Sequence, residues 1–152
     1  MMLKIDIEGG EYELSESLIE CLKKNSKRIN SVVMEFHETR IRRNEFEYLV
    51  RGISSVVPIV HIHGNNCVVV APDGLPEVIE ITFAKDCETS FSDNLSFPLA
   101  GLDFPNDKAL PDLSFADGCC AGLQETPPKA SPRPLFEEEE GGYEAEGVFL
   151  WF

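Results

Sequence analysis

The sequence predicts an α/β fold in which two parallel strands, each followed by a helix, lead into antiparallel strands. Two short apolar runs, residues 3–7 and 31–37, each end in polar side chains and flank a helix-forming stretch. A strand–helix–strand unit pairs its strands in parallel with a right-handed crossover. Beyond residue 56, β-rich runs follow one another through connections too short for a crossover, which requires antiparallel pairing.

The first predicted strand covers Leu3–Ile7, where apolar and charged residues alternate, and Gly9-Gly10 ends it. A helix is expected next, because apolar residues recur at helical spacing: Leu14, Leu18, Cys21 and Leu22. Ser17 and Glu20 have the spacing of a capping box, and Asn25 is a plausible stop.

The second strand–helix unit repeats this order. The run Ser31–His37 has strand length, and the following helix is predicted by four apolar residues: Phe46, Leu49, Val50 and Ile53. Asn44 and Glu47 are placed as cap and third helical residue. If the two strands are parallel, Asp6, Glu8 and His37 lie on the same rim of the sheet.

The second part of the domain reads as β-structure and then as loops. Residues 56–62, 67–71 and 78–83 are predicted strands, separated by turn sequences at 64–66 and 72–74, and we expect a hairpin-like antiparallel edge. Periodicity fades between Lys85 and Asp117. In that stretch we expect order only where three apolar residues dock: Phe97, Leu102 and Phe104.

We divide the chain into a domain at 1–117 and a disordered, acidic, proline-rich tail at 118–152. Only the apolar end, Val148–Phe152, has the composition to fold back on the domain or to dock in a partner groove. Adventitious hydrophobicity is an equally open explanation for it.

The composition limits the classes of partner and the cellular compartment that we expect. The net charge of -14 opposes binding to nucleic acid and to anionic membrane surfaces. No apolar run approaches the roughly 20 residues that cross a bilayer, so a cytoplasmic location is expected. The five cysteines lack a Cys-x-x-Cys or zinc-like spacing, which favours reduced structural thiols.

The candidate catalytic residues are Asp6, Glu8 and His37. Asp6 and Glu8 are two apart on a predicted strand and would share a face, an arrangement suited to acid–base or metal work. An alternative stays open, in which Glu8 and Glu11 only favour the amino end of the next helix. We predict no metal ion, because no third-ligand spacing accompanies the histidines.

Other polar clusters have simpler explanations. His61 and His63 are expected to be hydrogen-bonded structural residues, and Asn65-Asn66 to serve a turn. The basic cluster after the second strand could recognise a carboxylate or phosphate, although solvated loop charges are the preferred explanation: Arg40, Arg42 and Arg43.

Five segments in order resemble the carboxy-terminal motifs of FkbM-like S-adenosylmethionine-dependent methyltransferases. They are LKIDIEGGEYEL at 3–14, VVMEFH at 32–37, HIHGNN at 61–66, PEVIEITF at 76–83 and LDFPNDKALPDL at 102–113. The resemblance implies part of a Rossmann-like class I methyltransferase sheet, with these pieces as its fourth to seventh strands. It also implies S-adenosylmethionine as cosubstrate, a small-molecule or glycan acceptor methylated on oxygen, and Asp6, Glu8 and His37 at the acceptor side.

The chain departs from the family where the methyl donor would bind. The family uses a glycine-rich turn after its first strand and an acidic residue after its second, and no G-x-G follows a predicted strand here. We therefore expect a truncated domain that corresponds to the carboxy-terminal half, or an incomplete gene product. A non-catalytic remnant or interaction module is the alternative. The strand at Leu3–Ile7 would then have an open edge, favouring self-association or a partner strand.

Overall fold

The structure is a computed structural model that describes residues 1–72, 74–85, 97–99 and 101–115 and the backbone of 148–151. The strands are β1 (Met2–Ile5), β2 (Ser31–Phe36), β3 (Ile59–Gly64), β4 (Ile79–Ala84) and β5 (Val148–Trp151). The helices are a 3-10 helix (Glu11–Leu14), α1 (Ser15–Lys24) and α2 (Arg43–Ser54). The disorder predicted for 118–147 and for residue 152 concerns residues outside these described ranges.

One mixed sheet joins the strands in the order β3-β4-β2-β1-β5. β1 and β2 are parallel, with Leu3 opposite Val32, whereas β4 runs antiparallel to both β2 and β3. The predicted α/β class, with parallel strands followed by antiparallel ones, is confirmed. The strand pair β3 and β4 forms the expected antiparallel edge, and β4 lies between β2 and β3.

The core fills one face of the sheet. Alternate residues of β1 and β2 are buried there, together with the apolar stripes of both helices: Leu3, Ile5, Val32, Met34, Phe36, Leu18, Leu22, Phe46, Leu49, Val50 and Ile53. Gly52 lets the helices approach closely, since a Cβ on it would lie 2.1 Å from Ile19 Cδ1. The predicted core residue Cys21 is exposed, and Ile19 is buried in its place.

Both predicted helix caps are wrong, although both helices exist. α1 continues directly from the 3-10 helix, so the Ser15 amide donates to Tyr12 O and no capping side chain is needed. Ser17 Oγ donates to Leu14 O instead of capping. α2 begins at Arg43, with Arg42 at its cap position rather than Asn44. The predicted stop at Asn25 is confirmed.

β1 is shorter than predicted. It ends at Ile5, and the chain then turns sharply: Glu8 and Gly9 have φ of 52° and 103°, and the Gly10 amide donates to Ile7 O at 3.2 Å. A positive φ of this size is favourable only for glycine, which explains the residue at position 9. The alternation of apolar and charged residues therefore predicted an end of the strand at Ile7 that is two residues too late.

The segment 67–71 is not a strand, because it makes only an isolated bridge from Val70 to Pro76. The later segment 97–115 lies along β3 and is anchored by Phe97 and Phe115, which bridge each other and are buried. The prediction that Leu102 and Phe104 dock on the domain is wrong, since these residues are 67% and 70% exposed. Polar contacts described below hold this segment instead.

The edge of β1 is not open. β5 pairs with it in antiparallel register, Leu3 opposite Leu150, so β1 has neighbours on both sides. The expectation that nothing in the chain could pair with this edge is therefore corrected: the apolar carboxy-terminal segment folds back and supplies the backbone partners that an edge strand otherwise lacks. Among the described residues, neither helix has the length and apolar character to cross a bilayer.

Candidate functional site

The three residues predicted from sequence come together at one rim of the sheet. Asp6 directly follows β1 and His37 directly follows β2, and because these strands are parallel their carboxyl ends meet. One ligand-type atom each from Asp6, Glu8 and His37 lies within 4.8 Å of the others. Their catalytic role stays a prediction, but their juxtaposition is a property of the fold.

The convergence does not arise from strand alternation, as the sequence suggested. Glu8 lies within the turn that follows β1, in a left-handed conformation, and this turn brings its carboxylate to 3.4 Å from His37 Nε2. The Glu8 side chain is 85% exposed, so it faces solvent at the mouth of the cluster. Asp6 is half-buried beneath it.

Glu11 is the functional residue that sequence reasoning did not assign. Its side chain is fully buried, and its Oε1 lies 2.8 Å from His37 Nδ1 while also accepting a hydrogen bond from the Gly9 amide. A carboxylate beside Nδ1 fixes the imidazole ring so that Nε2 faces Asp6 and Glu8. The alternative, in which Glu11 only stabilises the amino end of the next helix, therefore leaves out its contact with His37.

Two further side chains hold this arrangement in place. Tyr12 donates its hydroxyl hydrogen bond to His37 O at 2.6 Å, and burial, followed by the charge of Glu11, raises the pKa of Tyr12 so that it stays a donor. Arg42 lies 4.5 Å above the Tyr12 ring and donates to Gly9 O at 3.2 Å. The turn, the 3-10 helix and the end of β2 are thereby tied together.

The electrostatics of the site are strongly acidic. Burial, and after it the neighbouring Asp6 charge, raises the pKa of Glu35, whose Oε1 lies 3.9 Å from His37 Nε2. Burial opposes a charged imidazolium at His37, but the hydrogen bond to Glu11 and the carboxylates of Glu11, Glu35 and Glu8 outweigh it and raise the pKa of His37. Four carboxylates thus surround one imidazole, a geometry that attracts protons and cations.

The histidines of β3 belong to a separate set of contacts. His61 Nε2 lies 2.9 Å from Asp103 Oδ1, and His63 Nε2 lies 3.3 Å from Asp112 Oδ1, the latter at ion-pair range without hydrogen-bond alignment. Both histidines thus contact the 97–115 segment, but the predicted hydrogen-bonded structural role is confirmed for His61 only, because His63 Nε2 has no hydrogen-bond partner among the described residues.

Asn65 and Asn66 have different structural roles. Asn65 Oδ1 accepts from the Cys67 amide, as a turn residue does. Asn66 is buried instead, and its amide bonds to Asp107 O, Leu110 O and Pro111 O while its Oδ1 accepts from the Asp107 amide. The prediction of a turn role is correct for Asn65 only.

The basic cluster after β2 consists of paired charges, of which Arg40 and Arg43 are half exposed to solvent, as predicted, and Arg42 is mostly covered. Arg40 pairs with Glu77 at 3.1 Å, and Arg43 pairs with Glu47 at 3.1 Å. Arg42 contacts two carboxylates, those of Glu13 and Glu45, at 2.9 and 3.0 Å. The guanidinium groups therefore organise the loop.

Spacing alone could not have found Glu11, because its partner is 26 positions away. Its one signal in the sequence is its position directly after the Gly9-Gly10 pair, because a turn there can bring the chain back toward the end of β1. Of the cysteines in the described residues, Cys21 and Cys67 are free and exposed.

Comparisons of the chain with protein-family models, with curated proteins and with solved structures find no match.

Proposed function

We propose that this chain is the carboxy-terminal half of an FkbM-like, S-adenosylmethionine-dependent methyltransferase domain that directs methyl transfer to an oxygen of a small-molecule or glycan acceptor. The observation that carries the proposal is the acidic, histidine-containing cluster at the carboxyl ends of two adjacent parallel strands, where open α/β sheets bind ligands. The resemblance of five ordered motifs supplies the reaction class.

The strand order supports the same proposal. β4, the last strand of the domain region, lies antiparallel between β2 and β3. This is the arrangement of the seventh strand between the fifth and sixth in a class I methyltransferase sheet. In that scheme β1 is the fourth strand, and the positions of Asp6 and His37 fall at the ends of the fourth and fifth.

The described residues do not fit a donor-binding cradle. The Gly9-Gly10 turn is the glycine-containing turn next to a parallel strand, but its amides are already engaged: Gly9 N–H with Glu11 Oε1 and Gly10 N–H with Ile7 O. Neither amide is directed to a ligand, as phosphate- and nucleoside-binding turns require. The role proposed for this chain is therefore confined to the acceptor side.

On that side the task is to position an acceptor hydroxyl and to take its proton as the new carbon–oxygen bond forms. His37 Nε2 is the group best oriented for this, because Nδ1 is held by Glu11 and Nε2 faces the cluster mouth at Glu8. Asp6 and Glu8 can accept the acceptor's hydrogen bonds. The transferred proton leaves through these groups to solvent.

The test supplies the donor half on a second polypeptide, the amino-terminal half of an FkbM-like domain that ends before the strand equivalent to β1. Calorimetric titration with S-adenosylhomocysteine should give heat with the mixture and none with this chain alone. Methyl transfer by the mixture should be lost in Asp6→Asn, with the circular dichroism of that variant unchanged. Because β5 covers the β1 edge, the mixture is tested with and without residues 148–152, and absence of a complex in both cases would reject the proposal. Retained turnover in Asp6→Asn would remove Asp6 from the site.

A non-catalytic interaction module is the second candidate, and one observation favours it: no G-x-G sequence occurs anywhere in the chain. Its predicted docking edge, however, is paired with β5. The two candidates differ in the same titration, since a module binds its partner without creating an S-adenosylhomocysteine site.

A further inference from the structure

We infer that Asp6, Glu8 and His37 form a binding site for one divalent transition-metal cation of the Mn²⁺ or Zn²⁺ class. The three residues offer two carboxylate oxygens and one imidazole nitrogen within 4.8 Å of one another. This donor set is a mixture of hard oxygen and borderline nitrogen ligands, which suits Mn²⁺ and Zn²⁺ better than Mg²⁺ or Ca²⁺. The inference requires no methyl donor and so goes beyond the proposed function.

The ligand atoms are close to the spacing that coordination demands. Adjacent ligand atoms about 2.1 Å from an ion are separated by roughly 3–3.5 Å, so the widest pair in the cluster must close by on the order of 1 Å. Glu8 can provide that movement, because its side chain is 85% exposed. Glu35 Oε1 lies 3.9 Å from His37 Nε2 and adds a further negative charge beside the three ligands.

A second observation, independent of this spacing, also points to a cation. Glu11 is fully buried and its carboxylate lies against the His37 ring, yet among the described residues its Oε2 has no hydrogen-bond partner. Asp6 Oδ1 is likewise inaccessible to solvent and unpartnered within that part of the chain. Buried carboxylate oxygens without partners are costly unless a positive charge lies nearby.

The Glu11–His37 contact has the form that metal-binding histidines usually show. A histidine ligand commonly donates its other ring N–H to a carboxylate, which fixes the tautomer and strengthens the metal bond. Glu11 does this at Nδ1 with a separation of 2.8 Å, leaving Nε2 as the metal-facing atom. Glu11 would thus be a positioning residue for the ligand His37.

Charge balance leads to the same conclusion. Four carboxylates, those of Asp6, Glu8, Glu11 and Glu35, meet a single imidazole, so even a protonated His37 leaves three negative charges. The nearby cation Arg42 is engaged by other carboxylates. A divalent cation would offset most of the remaining charge.

One consequence rests on the proposed function. A bound cation would hold the acceptor oxygen directly and lower the pKa of its hydroxyl, in which case His37 acts as a ligand and not as the proton acceptor. Metal binding itself is independent of that step, so the two ideas can fail separately.

The experiment titrates the full-length chain, first stripped of metal, with Mn²⁺, which binds thiols weakly and therefore avoids the cysteines. Electron paramagnetic resonance counts the bound Mn²⁺, and NMR maps it by paramagnetic broadening of amide signals. The expected result is one Mn²⁺ per chain that broadens residues 6–9 and 37 first. Zn²⁺ should displace it, and a tenfold excess of Mg²⁺ should not.

Two variants make the assignment specific. Glu8→Gln should weaken Mn²⁺ binding at least tenfold without unfolding the chain, because the side chain it replaces is exposed. Glu20→Gln removes an exposed carboxylate from α1, outside the cluster, and should leave binding unchanged. The inference is overturned if the folded chain takes up no Mn²⁺, if broadening is confined to the Glu137–Glu140 run, or if Glu8→Gln and Glu20→Gln bind equally.

Discussion

Replacing His37 by leucine should destabilise the fold far more than the loss of packing would. The substitution leaves the fully buried Glu11 carboxylate with one hydrogen bond among the described residues, from the Gly9 amide, and it removes the group that lies between Glu8 and Glu35. Breaking a buried ion pair from one side costs about 3–5 kcal/mol. Since a domain of this kind has a total stability of about 5–15 kcal/mol, the effect is readily measured.

The assay is urea denaturation followed by circular dichroism, in buffer with a metal chelator. The double variant Glu11→Leu/His37→Leu should recover more than half of the loss, because replacing both partners of a buried pair by apolar groups is often neutral. Glu8→Gln serves as the control for a change of charge at the same rim. It should alter the free energy of unfolding by less than about 1 kcal/mol, because surface pairs contribute little.

The pH dependence has a defined sign. The pKa of His37 is raised in the folded state, so protonated His37 stabilises the fold fully below its ordinary value of about 6.5, and this contribution is lost as pH rises through the higher folded pKa. The stability difference between wild type and His37→Leu should therefore be larger at pH 6 than at pH 9. A difference below about 1 kcal/mol at pH 6, or a double variant as unstable as the single one, would refute the reasoning.

Three further predictions concern the rest of the domain. Asn66→Ala should cost about 2–4 kcal/mol of unfolding free energy, since the four hydrogen bonds of its side chain, at about 1 kcal/mol or less each, are lost. Asn65→Ala should cost about 1 kcal/mol or less, and equal effects in urea denaturation would contradict this. Burial alone would raise the pKa of Asp103, but hydrogen bonds from His61 and the Leu99 amide outweigh it and lower that pKa. The contribution of Asp103 to stability is therefore present above pH 3.8 and is lost as the pH falls through the lowered pKa. Asp103→Asn should therefore destabilise the chain at pH 6 and much less at pH 3, and a constant difference in denaturation midpoint would argue against it. Deletion of residues 148–152 should increase self-association by exposing the β1 edge. Light scattering identical to that of the full-length chain would contradict the idea that β5 protects this edge.

The regular part of the fold could be predicted because its signals are local. The apolar spacing of α2, from Phe46 to Ile53, and the run of β2 are each contained within a dozen residues, and both agree with the structure. The limits of the elements were less predictable. The strand pattern through Ile7 is overridden by the turn at Gly9, whose left-handed backbone no periodicity reveals.

The candidate site was predictable in its position but not in its chemistry. Parallel pairing places Asp6 and His37 on one rim, which follows from topology alone. Glu11 could not be assigned, because its contact with His37 depends on how the turn directs a buried side chain. The pairing of β5 with β1 was likewise beyond pattern reading, since more than sixty residues separate it from β4.

Two of the motifs that carry the family resemblance turn out to contact each other. The HIHGNN segment supplies His61, His63 and Asn66, and the LDFPNDKALPDL segment supplies their partners Asp103, Asp112 and Asp107. Their polar residues are therefore accounted for by docking of a loop on β3. Within the described residues, this leaves the rim at the ends of β1 and β2 as the polar cluster that docking of the loop does not explain.

Stability alone does not account for that rim. Gathering four carboxylates around one imidazole is a costly way to stabilise a fold of this size, and two of them, Asp6 and Glu11, carry buried oxygens without partners among the described residues. Apolar or neutral residues there would remove both the desolvation cost and the repulsion. Elsewhere in the described residues, the buried polar side chains Ser15, Thr39 and Asn66 are hydrogen-bonded, and the one buried side-chain atom without a hydrogen bond, His63 Nε2, lies 3.3 Å from the Asp112 carboxylate. Costly charge held at the carboxyl ends of parallel strands is what a site for an incoming proton or cation requires, and this asymmetry is the physical reason to look for function there.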